Sequence, residues 1–170
     1  MDAVDRSFFR LTMSCFATGV AILTTASEGR RYGMTINSLT SVSLDPAQIL
    51  VCINHGSPTG NAIKERGLFG VSLLHHGQHV AATSFVGPNA ARFDAIDCHD
   101  GDLGIPLVHG ALASLICRPA NILSSGDHEI IIGDVIRAAR DDGEPLIFFG
   151  GKFGGFQAGF PSTKQQRCVA

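Results

Sequence analysis

The apolar positions Phe9, Met13, Phe16 and Ala17 fall at the spacing of one helix face, so the pattern predicts a helix over residues 4–17 that Gly19 can close and that lies against a sheet. Beyond it the pattern changes to short runs bounded by turn residues. Residues 20–25 are rich in β-branched side chains, Glu28-Gly29-Arg30 reads as a turn, and residues 32–42 hold two strand-like pieces of mixed polarity before Asp45-Pro46 breaks the chain. A nearly continuous apolar run at 48–54 predicts a buried strand. Ser57-Pro58 then has the form of an N-cap followed by a first-turn proline, opening a helix over 59–66 that Gly67 ends.

Residues 68–74 predict another strand, 78–85 a short helix, and 86–105 an irregular stretch of the kind that is functional or mobile when it occurs inside a compact domain. Two further strands, 111–118 and 121–125, precede the turn Gly126-Asp127-His128. A long strand over 129–140, a hairpin turn at Asp141-Asp142-Gly143 and a returning strand over 146–149 complete the pattern. Many strands on short turns, three scattered helices and no βα alternation predict a mostly β, antiparallel barrel with peripheral helices. One domain is expected over 1–156, with a polar tail over 157–170.

The 170 residues leave room for a single domain, and with 45% hydrophobic and 16% charged residues the chain is a folded globule, with surface to hide in an oligomer. A net charge of −2 without any basic stripe argues against nucleic acid. The longest aliphatic stretches, such as 49–53, fall far short of the about 18 to 20 residues that span a bilayer, and the N-terminal residues lack a signal-peptide pattern. A soluble cytoplasmic protein without membrane attachment is expected. Cys15, Cys52, Cys98, Cys117 and Cys168 are odd in number and widely spaced, as reduced thiols are.

Several chemistries are excluded at the level of motifs. No two glycines stand two residues apart, which removes the dinucleotide fingerprint. Gly151-Lys152 lacks the companions of a phosphate-binding loop, and neither His-Glu-x-x-His nor Gly-x-Ser-x-Gly occurs. His75, His76 and His79 straddle Gly77 without a carboxylate or thiolate partner, so no metal site is expected.

Three polar clusters remain. In Gly33-Met34-Thr35-Ile36-Asn37-Ser38, hydroxyl and amide groups alternate with apolar ones, which makes either a wet strand face or a wall for a flat heterocycle. Asn54-His55-Gly56-Ser57-Pro58-Thr59 begins a helix with hydroxyls and backbone N–H groups, and reads either as an ordinary cap or as a phosphate site. Gly126-Asp127-His128 sets a histidine at the start of a strand, as a structural residue or a chemical one.

Taken in order, these clusters resemble the short-chain flavin reductases, which supply reduced flavin to two-component monooxygenases. The similarity runs from about Phe8 to Phe156. It rests on Phe9-Arg10, Phe16-Ala17-Thr18-Gly19-Val20, the Gly33 to Ser38 cluster with Ser41-Val42-Ser43-Leu44-Asp45-Pro46, Leu50-Val51-Cys52-Ile53 with Ser57 and Thr59, Arg92-Phe93, Gly110-Ala111-Leu112-Ala113 and Gly126-Asp127-His128. The resemblance implies an FMN-binding split β-barrel, antiparallel and Greek-key-like, a homodimer with flavin near the interface, and reduction of FMN or FAD by NADH or NADPH. It places Thr35, Asn37 and Ser38 at the isoalloxazine or ribityl chain, Ser57 and Thr59 near the flavin phosphate, and Arg92 and Phe93 beside the flavin. His128, the candidate catalytic residue, lies beside the nicotinamide. Met34, Ser41, Cys52, Asn54, Lys152 and Phe153 complete the candidate cofactor-binding set, with Met34 and Phe93 as packing surfaces and Cys52 as a buried structural thiol. The family often carries a basic-aromatic pair after the last hairpin, and here Gly151-Lys152-Phe153-Gly154-Gly155 lacks the phenol. A bound-flavin protein reducing another small acceptor, and a flavin-binding module without nicotinamide chemistry, are the alternative readings.

Overall fold

Short β-branched runs separated by residues that tolerate a left-handed backbone fold into hairpins, and those hairpins build most of this protein. The computed structural model describes residues 4–87, 93–157 and 159. The chain opens with helix α1 (Arg6–Met13), whose N-cap Asp5 accepts a hydrogen bond from the Phe8 N–H at 2.9 Å. Strands β1 (Thr18–Gly19), β2 (Ala21–Ser27) and β3 (Arg30–Ile36) follow. Glu28 and Gly29 both have positive φ, 51° and 72°, as the two-residue turn between β2 and β3 requires. Asp45-Pro46, with a cis bond, joins β4 (Thr40–Leu44) to β5 (Ala47–Asn54).

Helix α2 (Pro58–Arg66) is capped by Ser57 and stopped by Gly67 at φ 69°, and then come β6 (Phe69–Leu73) and α3 (His79–Ser84). The irregular stretch expected over 86–105 contains β7 (Cys98–Asp100), which pairs with β8 (Pro106–Val108). Two 13-residue strands, β9 (Ala113–Ser125) and β10 (His128–Arg140), form the longest hairpin, and β11 (Leu146–Phe149) and β12 (Lys152–Gly155) end the described elements.

All pairings among the described residues are antiparallel. Seven strands line up in the order β3-β2-β6-β9-β10-β5-β4, and a smaller sheet has the order β1-β11-β12. The two edges of the large sheet, β3 and β4, are consecutive in sequence and joined only by residues 37–39. Buried residues from six of its strands, among them Leu23, Ile36, Val51, Ile53, Phe69, Val71, Cys117 and Ile131, meet in one cluster with Ile63 of α2. One face of the sheet is therefore turned inward on itself. The ladder does not close it: among the described residues no backbone pairing joins β3 to β4, so the wall is barrel-like but split. A second layer lies on the other side of β2, where Val20, Ile22 and Leu74 pack on Ala81, Ala82 and Phe85 of the α3 segment.

Two expectations are corrected. The two strands expected over 111–118 and 121–125 are one strand, Ala113–Ser125, because the ladder with β10 continues past Pro119 through a bulge at Ala120, beyond the last β6 pairing at Phe69↔Cys117, where no neighbour on that side needs an N–H. The first helix is shorter than predicted, and none of its residues is buried; Phe8 is 64%, Leu11 67% and, just beyond it, Phe16 67% exposed. Its apolar side is left uncovered by the described residues of this chain.

Candidate functional site

The ends of β3 and β5, the connection between β3 and β4, the start of α2 and the start of β10 come together at one rim of the wall. In the register that sets Thr40 opposite Leu50, Ser38 falls opposite Cys52, two positions before the start of β4. There its hydroxyl continues the ladder, donating to the Cys52 carbonyl at 2.9 Å and accepting from the Cys52 N–H at 3.1 Å. The Ser38 hydroxyl thus acts as both donor and acceptor in tying the β3–β4 connection to β5.

Ser57 caps α2 by accepting from the Gly60 N–H at 3.4 Å, and its hydroxyl donates toward the Met34 sulfur at 3.7 Å. The strand containing Met34 and the helix start containing Ser57 are thus in direct contact. Gly60 is there because α2 lies so close to β5 that an added Cβ would stand 2.4 Å from the Ile53 Cδ1. Pro58 has no N–H, the Gly60 N–H is taken by Ser57, and the Ser57 N–H goes to the Asn54 carbonyl at 3.2 Å. Of the first turn, the Thr59 N–H remains uncommitted among the described residues, beside a buried Thr59 side chain.

Asn54 stands directly opposite His128 across the β5/β10 pair. Opposed residues share a sheet face, so Asn54, Cys52 and Leu50 line up with His128, Ile130 and Ile132 on the outer side, with the 46%-exposed Leu123 beyond. Cys52 is half-buried on this face, not in the core as expected, because the alternation of β5 sends Val51 and Ile53 inward instead. Among the described residues the Asn37 and Asn54 amides and the Ser41 hydroxyl make no side-chain hydrogen bonds within the fold, and remain available to a ligand.

The His128 Nδ1 lies 2.7 Å from the Asp127 Oδ1. That hydrogen bond, more than any other contact, holds the Asp127 carboxyl below the usual aspartate range. On the opposite face Glu129, only 15% exposed, binds Lys64 of α2 at 2.9 Å and lies 3.7 Å from His55, whose Nε2 is 3.2 Å from the Ser124 hydroxyl. This network fastens α2 and the helix entry to β10. Sequence reasoning missed it; the only trace was the position of Glu129 one residue after His128, which alternation sends to the other face.

Other expected site residues lie elsewhere in the chain. The Thr35 hydroxyl donates to the Ala82 carbonyl at 2.6 Å and its N–H to the Phe85 carbonyl at 3.1 Å, so Thr35 holds the α3 segment on the edge of β3. Phe93 stacks edge-on against Phe85 with centroids 5.0 Å apart, and both press on Gly33, where a Cβ would be 2.7 Å from the Phe85 ring. Phe153 packs on Phe148 in the small sheet at 5.4 Å, with Lys152 exposed beside it. Arg92 lies outside the described residues. His75 accepts from the Gly77 N–H at 3.0 Å and serves as a local cap. No helix among the described residues is long and apolar enough to cross a membrane.

Comparison with known proteins places this arrangement. Residues 13–157 match the flavin reductase like domain, and the chain belongs to that family. It is 40% identical over 148 residues to the FMN reductase (NADH) SmoA of Agrobacterium fabrum, covering 87% of this chain and 84% of that one. With the reductase component of a 4-nitrophenol 4-monooxygenase/4-nitrocatechol 2-monooxygenase of Rhodococcus opacus it shares 35% identity, over 92% of this chain and 84% of the relative. Among solved structures, the NADH:FAD oxidoreductase of Streptomyces globisporus in complex with NAD and FAD fragments superposes with a TM-score of 0.86 at 36% identity, covering 92% of this chain and 98% of that one.

Proposed function

We propose that the protein is an NAD(P)H:flavin oxidoreductase that reduces FMN or FAD with NADH or NADPH and releases the reduced flavin to a partner monooxygenase. The observation that carries the site assignment is the convergence of Met34, Ser38, Cys52, Asn54, Ser57 and His128 at one rim, where free amides adjoin a helix start and a histidine. Flavin and reduced nicotinamide bring the hydride chemistry with them. What the residues must do is bind, orient and shield, and these residue types suit such a role, since none is a nucleophile activated by a neighbouring base.

In this reading the Asn37 and Asn54 amides, each both donor and acceptor, meet the edge of the flat ring, while Ser41 serves the polar chain. Thr59 and its N–H, with Ser57, receive the phosphate. Ser38 and Thr35 act indirectly, by fixing the edge strand from which Asn37 projects. His128 stands at the nicotinamide, and Phe93, Lys152 and Phe153 reach the site from this chain or a second one.

A homodimer accounts for the surfaces left uncovered in a single chain: the α1 side bearing Phe8, Leu11 and Phe16, and the outer sheet face of Leu50, Cys52, Ile130, Ile132 and Leu123. A site completed between copies also accords with the His128 side chain being 42% exposed in a single chain. Residues 1–156 act as one reductase domain, and a cytoplasmic setting accords with the four described cysteines being unpaired. The test is NADH or NADPH oxidation with FMN or FAD added in excess. Turnover that rises with free flavin supports release; turnover only of a stoichiometric bound flavin, passed to another acceptor, rejects it.

A further inference from the structure

The hairpin joining β9 to β10 has Gly126 at its first central position with φ 59°, and Asp127 at the second without a positive φ. That is the turn in which only the first residue needs to be glycine. The turn is fastened from outside: the Asp127 carbonyl accepts the His55 N–H at 3.1 Å, so the backbone of Asp127 is fixed to the connection between β5 and α2. Its side chain has two directed contacts. Oδ1 is 2.7 Å from the His128 Nδ1, and Oδ2 is 3.6 Å from the Arg6 guanidinium of α1.

An ionised carboxylate can only accept hydrogen bonds, so this contact demands a proton on the His128 Nδ1. A neutral imidazole protonated there has a bare Nε2, which is an acceptor. An aspartate carboxyl is ionised across the neutral range, and the same hydrogen bond to His128 is the main cause that holds Asp127 below its ordinary range.

We propose that Asp127 is a positioning residue, which through its carboxylate sets the tautomer and ring orientation of His128 and leaves Nε2 as a hydrogen-bond acceptor for a ligand. The proposal rests on the reading of His128 as the nicotinamide residue. On that reading the ligand group met by Nε2 is a donor, and the carboxamide NH2 is the donor that nicotinamide carries. The directed side-chain contacts of Asp127 are to His128 and Arg6, and Arg6, which is 91% exposed, contributes little to the geometry.

Two-bond proton–nitrogen correlation NMR of the full chain, recorded above the pH range in which imidazoles titrate, reads the tautomer directly. The expected result is His128 protonated on Nδ1 in the native protein and mostly on Nε2 in Asp127→Ala. In flavin reduction the same variant is expected to raise KM for the nicotinamide about tenfold while kcat and the flavin KM stay within about twofold. A native His128 protonated on Nε2, or an Asp127→Ala variant with the tautomer unchanged, overturns the proposal. So does a nicotinamide KM that rises in His128→Ala but not in Asp127→Ala. If neither variant moves it while the tautomer shifts as expected, Asp127 does set the ring, and the placing of His128 at the nicotinamide is what fails.

Discussion

Ser38 and Cys52 are joined by two hydrogen bonds through a single hydroxyl, which extends the ladder at a position before the backbone of β4 begins. A side chain thereby extends the β4/β5 ladder into the connection that arrives from β3. The connection carrying Asn37 is held at the rim by this contact.

Removing that hydroxyl leaves two backbone groups of Cys52 without partners. Ser38→Ala is expected to lower stability by about 1 to 2 kcal/mol and to raise the flavin KM more than the nicotinamide KM. Ser38→Thr, which keeps the hydroxyl, is expected to restore most of both. Denaturant unfolding with steady-state kinetics checks this, and an unchanged stability in Ser38→Ala would contradict it.

Thr35 holds α3 from the other side of the same strand. Thr35→Ala is expected to speed amide exchange in residues 79–85 and to cost about 1 kcal/mol, whereas Thr35→Ser is nearly neutral. Hydrogen exchange resolved by mass spectrometry reads the difference.

At Gly33 the Phe85 and Phe93 rings occupy the space a side chain would need. Gly33→Ala is expected to lose about 1 to 3 kcal/mol through overpacking, because Phe85 is itself 1% exposed and has little room to withdraw. Thermal unfolding tests it, with Gly154→Ala, where nothing lies within 4 Å, as the comparison.

Burial pushes the Cys117 thiol up to about 12 from its ordinary value of 9.0. Between those values the unfolded chain loses the proton while the folded chain retains it, so the unfolded state binds fewer protons and stability falls as pH rises. The limit is about 1.4 kcal/mol per pH unit from this one group. Cys117→Ala should flatten the alkaline limb of a stability-against-pH curve; an unchanged slope would show that other groups dominate.

Much of the architecture was legible because its signals are local. Ser57-Pro58 and Gly67 bracketed α2 through capping chemistry, Gln48 to Asn54 gave a strand through its apolar run, and His128 begins β10 where the turn residues placed it. What escaped was set by partners distant in sequence. Thr35 looked like a ligand hydroxyl because nothing in a strand pattern reveals that Ala82 will offer it a carbonyl. Pro119 looked like a strand end because sequence does not show that β6 stops short of it. Likewise α1 was assigned a sheet to lie against, yet none of its residues is buried among the described residues, since amphipathicity marks an apolar face without saying what covers it.

Binding of flavin and nicotinamide together at this rim, so that one reduces the other, is what the proposed activity requires above all. Anaerobic mixing of the purified protein with FMN or FAD and NADH or NADPH, following the flavin and nicotinamide absorbance together, reads it without intermediaries. The expected result is equimolar loss of reduced nicotinamide and oxidised flavin, over many turnovers per protein chain and strongly slowed in His128→Ala. A folded protein that accelerates this exchange with neither flavin and neither nicotinamide would contradict it.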